Sequence, residues 1–327
     1  SFESLMTPLG QRLAMAEGTI AILALALALV WDLLLGEYPG PLHPVVWLGK
    51  LIAWLDKVSP VQGQWKQTLY GAGMVLIGVG LFALPAWLLL RLLQEGPWWG
   101  YLLGSVLLLK PTFALRELVQ AAGRVKQALL QGNLAEARTS LRSLVGRDTQ
   151  DLEEPLMASA AVESVAENAS DSLVAPLFYY ALFGVPGALA YRAINTMDNM
   201  IGYHGRYEYL GKVAARLDDL ANFIPARLTA LLLIAASFLS GKGAGALRVA
   251  LRDHGRPRSP NGGWPMSAMA GALGVELVKR EHYRLGVAQA PLTPARIDTA
   301  CRLFLGTAAF MVLLIFLTEA LRYALFA

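Results

Sequence analysis

The 327-residue sequence contains a single cysteine, Cys301, so no disulfide can form within the chain. Charge is scarce as well: Asp, Glu, Lys and Arg make up 16% of the residues, where a soluble protein carries about a quarter. The excess of 28 Lys+Arg over 24 Asp+Glu gives only +4. That is too weak to argue for a nucleic-acid partner and fits the basic loop bias of membrane proteins. Several signatures are missing: GxxxxGKS or GxxxxGKT, GxGxxG after a strand, HExxH, a CxxC pair and GxSxG. Nucleotide-binding folds of the usual kinds and zinc hydrolases are therefore unsupported. No run alternates apolar and polar long enough for a sheet, and no solenoid repeat occurs. What is abundant is apolar surface, at 55% hydrophobic residues. Disordered, collagenous and disulfide-framed chains are excluded, and an all-α polytopic membrane protein is expected.

A hydrocarbon core of about 30 Å needs roughly 20 helical residues. Two runs without a formal charge reach that length: Gln67 to Leu90 with 24 residues and Ser172 to Tyr191 with 20. Gly18 to Trp31, Gly96 to Leu109 and Leu228 to Gly241 have 14 each, and Leu303 to Thr318 has 16; these need flanking residues that snorkel. Four to six spans follow. Pro176, Gly184, Pro186 and Gly187 interrupt the second long run, as in broken or re-entrant membrane helices. Before Gly18 there is one Arg and no cleavage pattern, so the first run reads as a retained helix.

The sequence thus reads as one membrane-embedded catalytic domain over residues 1–327. Residues 110–171 read as an extramembrane helical insertion, an α-hairpin turning at Gly132-Asn133, and residues 242–302 as a basic loop region. With seven and ten Lys+Arg, both belong on the cytoplasmic side.

Chemistry gathers at the ends of the apolar runs. Glu163, Glu167 and Asp171 fall within an arc of about 80° on a helix, with Val162, Val165, Ala166 and Ala169 opposite. Such a stripe calls for Mg²⁺, basic side chains or water, since like charges at i,i+4 repel; the plain alternative is a solvated face. Asn195, Asp198 and Asn199 share a second face, whose hard oxygens suit Mg²⁺ with substrate phosphates or simply cap a helix. In Lys212 to Arg227, Asp218 and Asn222 lie one turn apart, and Lys212, Arg216 and Asp219 form a charged stripe. That arrangement is either a salt-bridged face or a metal ligand beside phosphate-binding cations. Asp32 closes the first apolar run, where an ionisable group is costly. His43-Pro44, the Gly146-Arg147-Asp148-Thr149 turn, His254 and Asn261 to Trp264 complete the polar set.

In order, Asp32-Leu-Leu-Leu-Gly36 with His43-Pro44, Val145-Gly-Arg147-Asp148-Thr149, Ala161-Val-Glu163-Ser-Val-Ala-Glu167-Asn168 with Asp171, Asn195-Thr-Met-Asp198-Asn-Met-Ile-Gly202-Tyr203, Ala215-Arg216-Leu-Asp218-Asp219 with Asn222 and Arg227, and Ser259-Pro-Asn261 to Trp264-Pro265 closely resemble the adenosylcobinamide-phosphate synthase family of cobalamin biosynthesis. The resemblance covers about Trp31 to Gly286. One departure is Met266, where the family usually carries an acid or amide.

The resemblance implies a multi-pass inner-membrane ligase with its active site facing the cytoplasm. It would join adenosylcobyric acid to aminopropanol, usually as its O-phosphate, with ATP and Mg²⁺, in company with the lipid bilayer and other membrane-bound cobalamin enzymes. On this reading Glu163, Glu167, Asp171, Asp198 and Asp218 are metal ligands and catalytic groups, and Asn168, Asn195 and Asn222 orient substrate. Arg147, Lys212, Arg216 and Arg227 meet phosphate, while Asp32, His43, Asp148, Asn261 and Trp264 belong to the substrate site. For the blocks to share the cytoplasmic face, neither Ser172 to Tyr191 nor Leu228 to Gly241 crosses fully. A carrier of an anionic substrate is the competing expectation, since broken helices with carboxylates also mark ion-coupled transport.

Overall fold

Helices make up nearly all the regular structure, because backbone polar groups in an apolar environment must be satisfied within their own segment. The computed structural model describes residues 8–146, 148–203 and 205–326. In chain order the first helices are α1 (Pro8–Leu35), α2 (Pro44–Lys57), α3 (Gln64–Gln94), α4 (Trp98–Leu109), α5 (Arg116–Leu130), α6 (Leu134–Leu141) and α7 (Glu154–Ala169). Next come α8 (Ala175–Ile201), α9 (Lys212–Ala221), α10 (Phe223–Phe238), α11 (Gly243–Asp253) and α12 (Gly263–Leu273). Strands β1 (Glu276–Lys279) and β2 (Tyr283–Gly286) precede the last helix, α13 (Ala295–Phe326).

Gly18–Leu35, Gln64–Gln94, Glu154–Ile201 and Ala295–Leu325 are long and apolar enough to cross a membrane, and the bent pair α9 and α10 makes a fifth candidate. The all-α polytopic expectation is met. The run Gly96 to Leu109 supplies only the 12-residue α4, roughly 18 Å long and short of a ~30 Å core. The long element from Glu154 to Ile201 is broken twice. A π turn occupies Ser170–Val174, and Gly184 adopts φ 67, ψ −161, two residues before Pro186. Only glycine takes that conformation without strain.

The chain divides into two compact units. The first comprises Ser1–Phe113, Pro176–Asp218 and Val312–Ala327. Its core sets Leu48, Ile52 and Leu55, one face of α2, against Met74 and Val75 of α3 and against Ala193, Met197 and Ile201 of α8. Gly78 lets the Met197 methyl seat directly on the α3 backbone. The other face of α2 exposes Trp47 and Trp54, side chains that favour a membrane–water boundary.

The second unit comprises Ala114–Ala175 and Asp219–Met311. At its centre every residue of α7 from Met157 to Ala166 is buried, because Ala and Ser let neighbouring backbones approach from all sides. The α5–α6 hairpin packs on α7, with the Asn133 side chain capping α6 by accepting from the Glu136 N–H. Helices α10, α11 and α12 pack together, and the β1–β2 hairpin lies on α7 and α12. Among the described residues this antiparallel hairpin corrects the expectation of no sheet. Strands of four residues are too short to give an alternating signature.

Candidate functional site

In the second unit the acidic stripe is not one solvated face. Glu163 is 5% exposed; its Oε1 accepts from the Ser159 hydroxyl at 2.7 Å and its Oε2 from the Tyr283 hydroxyl at 3.0 Å. Ser159 in turn accepts the backbone N–H of Val278 at 2.7 Å. One turn of α7 is thereby locked to both strands of the hairpin. Met266, at the departure from the family pattern, lies with its sulfur 3.6 Å from the Tyr283 oxygen.

Glu167 is exposed one turn on, with its carboxylate against Gly262, where an added Cβ would lie 3.2 Å from Oε1. Asp171 is half-buried inside the π turn, a feature that recurs at functional sites. Asn168 donates to the Ser164 carbonyl and hydroxyl at 3.0 and 3.1 Å and accepts from Ser172 at 2.9 Å. This ladder splints the helix where its regular hydrogen bonds change register.

A second cluster of the same unit surrounds Arg227. Its guanidinium lies 3.6 Å from the Phe223 ring centroid and 5.3 Å from that of Trp264, and it donates to Asn261 Oδ1 at 3.3 Å. The Asn261 amide donates to the Asp219 carbonyl at 2.7 Å. Trp264 stacks on His254 with centroids 3.9 Å apart, and its indole nitrogen is buried with no hydrogen-bond partner among the described residues. A buried donor left open in this way is available to a ligand acceptor. Asp148 lies in an exposed turn, accepting from the Gln150 N–H at 3.0 Å; Arg147 falls outside the described residues.

In the first unit Asn195, 2% exposed, donates to Asp218 Oδ1 at 3.2 Å, while Asn199 donates to Asn195 Oδ1 at 3.2 Å. Asp198 is half-buried, with Gly202 folded against its carboxylate. Lys212 and Arg216 are exposed on α9. In the second unit Asn222, the residue before α10, is 2% exposed.

Also in the first unit, Asp32 and His43 belong to a network the sequence reading missed. Lys110, with no exposed surface, lies 3.0 Å from Asp32 Oδ1 and 2.9 Å from Glu37 Oε1, and His43 Nε2 is 3.0 Å from Glu37 Oε2. Because His43 Nδ1 accepts the Val45 N–H at 3.2 Å, the ring proton sits on Nε2 and is donated to Glu37. Burial pushes the Glu37 carboxyl up, but His43 and Lys110 outweigh it and hold it below the usual carboxylate range. The available signal was Lys110 ending an apolar run directly before Pro111. For Ser159 and Tyr283 no periodic signal existed.

Among the described residues no three of His, Cys, Asp and Glu form a ready-made metal site. Mg²⁺ usually takes one or two carboxylates together with waters and substrate phosphates. The Glu163–Glu167 turn and the Asp198 and Asp218 carboxylates suit that use, each set within its own unit.

The family model described as CobD/CbiB protein matches residues 25–304. The chain is 46% identical over 294 residues to a protein named cobalamin biosynthesis protein CobD from Dehalococcoides mccartyi, covering 90% of this chain and 96% of that one. It is 43% identical to the protein of that name from Klebsiella pneumoniae, over 79% of this chain and 82% of the relative. A probable cobalamin biosynthesis protein CobD from Pyrococcus furiosus is 42% identical, over 80% and 87% respectively. No solved structure matches.

Proposed function

The chain belongs to the CobD/CbiB family, and on that premise we propose that it is an enzyme of cobalamin biosynthesis. It joins adenosylcobyric acid to 1-amino-2-propanol or its O-phosphate, forming the amide of adenosylcobinamide or its phosphate at the expense of ATP. The observation that carries the reading is the burial of polar groups within the blocks of family resemblance: Asp32 at 0%, Glu163 at 5%, Asn195 and Asn222 at 2% and Asn261 at 6% exposed. Buried polar side chains must be satisfied by partners or by a ligand, so a set of them within the family blocks supports a functional site.

Amide formation from a carboxylate needs one carboxylate oxygen turned into a leaving group, and phosphoryl transfer from ATP does this. Mg²⁺ bound with the nucleotide supplies charge neutralisation on the transferred group. Glu163, Glu167 and Asp171 in one unit, or Asp198 and Asp218 in the other, would hold it. In the unit of Glu163, Arg227 and Arg147 would meet phosphate oxygens and Asn261 would orient substrate; in the unit of Asp198, Lys212 and Arg216 would meet phosphate and Asn195 would orient substrate. Met266 removes one polar contact beside Tyr283. The corrinoid arrives at an inner-membrane protein whose site faces the cytoplasm, where ATP is available.

Glu167→Gln and Asp198→Asn are expected to lose ATP-dependent turnover in detergent; a variant that kept it would remove that residue from the assignment. The competing reading is a carrier of an anionic substrate, favoured by the break at Gly184. A carrier moves substrate only in sealed vesicles, whereas a synthase makes product in detergent.

A further inference from the structure

We propose that α11 lies along the membrane surface and that the basic side chains in and beside it bind the headgroups of anionic lipids. From Lys242 to Arg258 the sequence carries five basic residues, Lys242, Arg248, Arg252, Arg256 and Arg258, and a single acid, Asp253. Helical geometry sorts the residues of α11 by face. Ala246, Val249, Ala250 and Asp253 are buried, whereas Leu247, Arg248, Leu251 and Arg252 are exposed. At about 100° per residue those four fall within an arc of about 140°, with the leucines along one edge and the arginines along the other. An exposed face that is apolar along one edge and basic along the other is the pattern of a helix lying in a bilayer interface.

The acid does not cancel this charge. Asp253 is buried, and its one carboxylate takes both Arg252 and Arg256, at 2.6 and 3.0 Å. Lys242, just before the helix, Arg248 on its exposed face and Arg258 beyond its end are all exposed, and none of the three has an ion-pair partner among the described residues. Anionic headgroups tile a surface, so these cations need not converge on one point. Each one close to the surface adds its own attraction.

Position brings the bilayer to this face. α10 ends at Phe238 and α11 begins at Gly243, so the connection reaches no more than about 20 Å. α10 belongs to the bent pair that makes the fifth candidate span. Its uncharged run continues to Gly241 and stops at Lys242, and Phe238 and Leu239 are exposed at that end. Lipid contact gives these apolar residues and the two leucines of α11 one continuous apolar environment, bordered by the basic residues. A lipid-bound α11 is independent of the reaction catalysed.

The test places a fluorophore on Leu251→Cys in a Cys301→Ser background, with the full chain in nanodiscs of phosphatidylcholine alone or with about 30% phosphatidylglycerol. Expected is quenching of the label by brominated lipid, roughly twofold stronger when phosphatidylglycerol is present. Lys242→Gln, Arg248→Gln and Arg258→Gln together should abolish that increase. Salt at about 1 M, where the Debye length is about 3 Å, should abolish it too. Arg248→Lys with Arg258→Lys keeps the charge and should retain the increase, which separates charge from folding. Equal quenching in neutral and anionic discs overturns the proposal, as does an increase that survives the triple glutamine variant. A label quenched by iodide from water but not by brominated lipid puts α11 off the membrane, and a label shielded from both gives the face to a protein partner; either result overturns the proposal as well.

Discussion

The Tyr283 hydroxyl donates to Glu163 Oε2 at 3.0 Å across 120 positions of sequence, joining the tip of a short hairpin to the most buried acid of the family blocks in the second unit. A hydrogen bond to a charged group contributes about 1.5–3 kcal/mol. Tyr283→Phe should lower kcat by roughly ten- to hundredfold while the unfolding midpoint moves only a few degrees. Glu163→Gln should cost more than Tyr283→Phe, and the double variant should lose less than the product of the two. Independent, multiplicative losses measured in steady-state assays would mean that the two residues do not act together.

Asn195 and Asp218 separate structure from charge in the first unit. Asp218→Asn keeps an oxygen able to accept the Asn195 amide and removes only the negative charge. It should unfold near the wild-type temperature in detergent yet lose most of its turnover. Asn195→Leu removes the amide that the half-buried Asp218 carboxylate accepts from and should lower stability by about 1–3 kcal/mol. If Asp218→Asn were fully active, the carboxylate would have no chemical role.

Lys110 holds two acids, Asp32 and Glu37, in a site with no exposed lysine surface. Lys110→Met should destabilise the protein by about 3–5 kcal/mol, because removing one partner leaves buried charge uncompensated. Lys110→Met with Asp32→Asn should recover part of that loss. Denaturant titration in mixed micelles measures both, and a double variant no better than the single one would refute the pairing.

Asp253, buried at the end of α11, accepts the Gly286 N–H at 2.8 Å and pairs with Arg252 and Arg256 at 2.6 and 3.0 Å. Burial raises its pKa, but the Arg252 hydrogen bond, the Gly286 N–H and Arg256 outweigh it and leave the carboxyl below its usual range. A depressed carboxylate stabilises the fold above its unfolded pKa of about 3.9. The contribution is lost as pH falls through the lower folded value. Unfolding midpoints from about pH 6 down to about pH 3 should therefore fall more steeply in wild type than in Asp253→Asn. Parallel curves would contradict this.

The sequence exposed the helical class through its uncharged runs, and the α5–α6 turn through Gly132, which takes φ 69, and Asn133, which caps α6. It also singled out Glu163, Asn195, Asp218, Arg227 and Asn261, each of which lies in a hydrogen-bonded cluster. A helical wheel sees one helix at a time, so it assigned Glu163 to a stripe facing a cation or water. It does not see the neighbours packed around α7 from Met157 to Ala166, which bury Glu163 while Glu167, one turn on, stays exposed. Ser159 and Tyr283 were illegible for a related reason: their partners Val278 and Glu163 are 119 and 120 positions away, and no local period encodes a long-range hydrogen bond.

The most direct test of the account is to incubate the purified chain in detergent with adenosylcobyric acid, aminopropanol phosphate and ATP-Mg²⁺ and follow the corrinoid by mass. The account predicts a product equal to the two substrates joined with loss of water, formed only when ATP is present and accompanied by its consumption. A corrinoid mass unchanged after ATP, Mg²⁺ and both substrates are supplied to folded protein would contradict it.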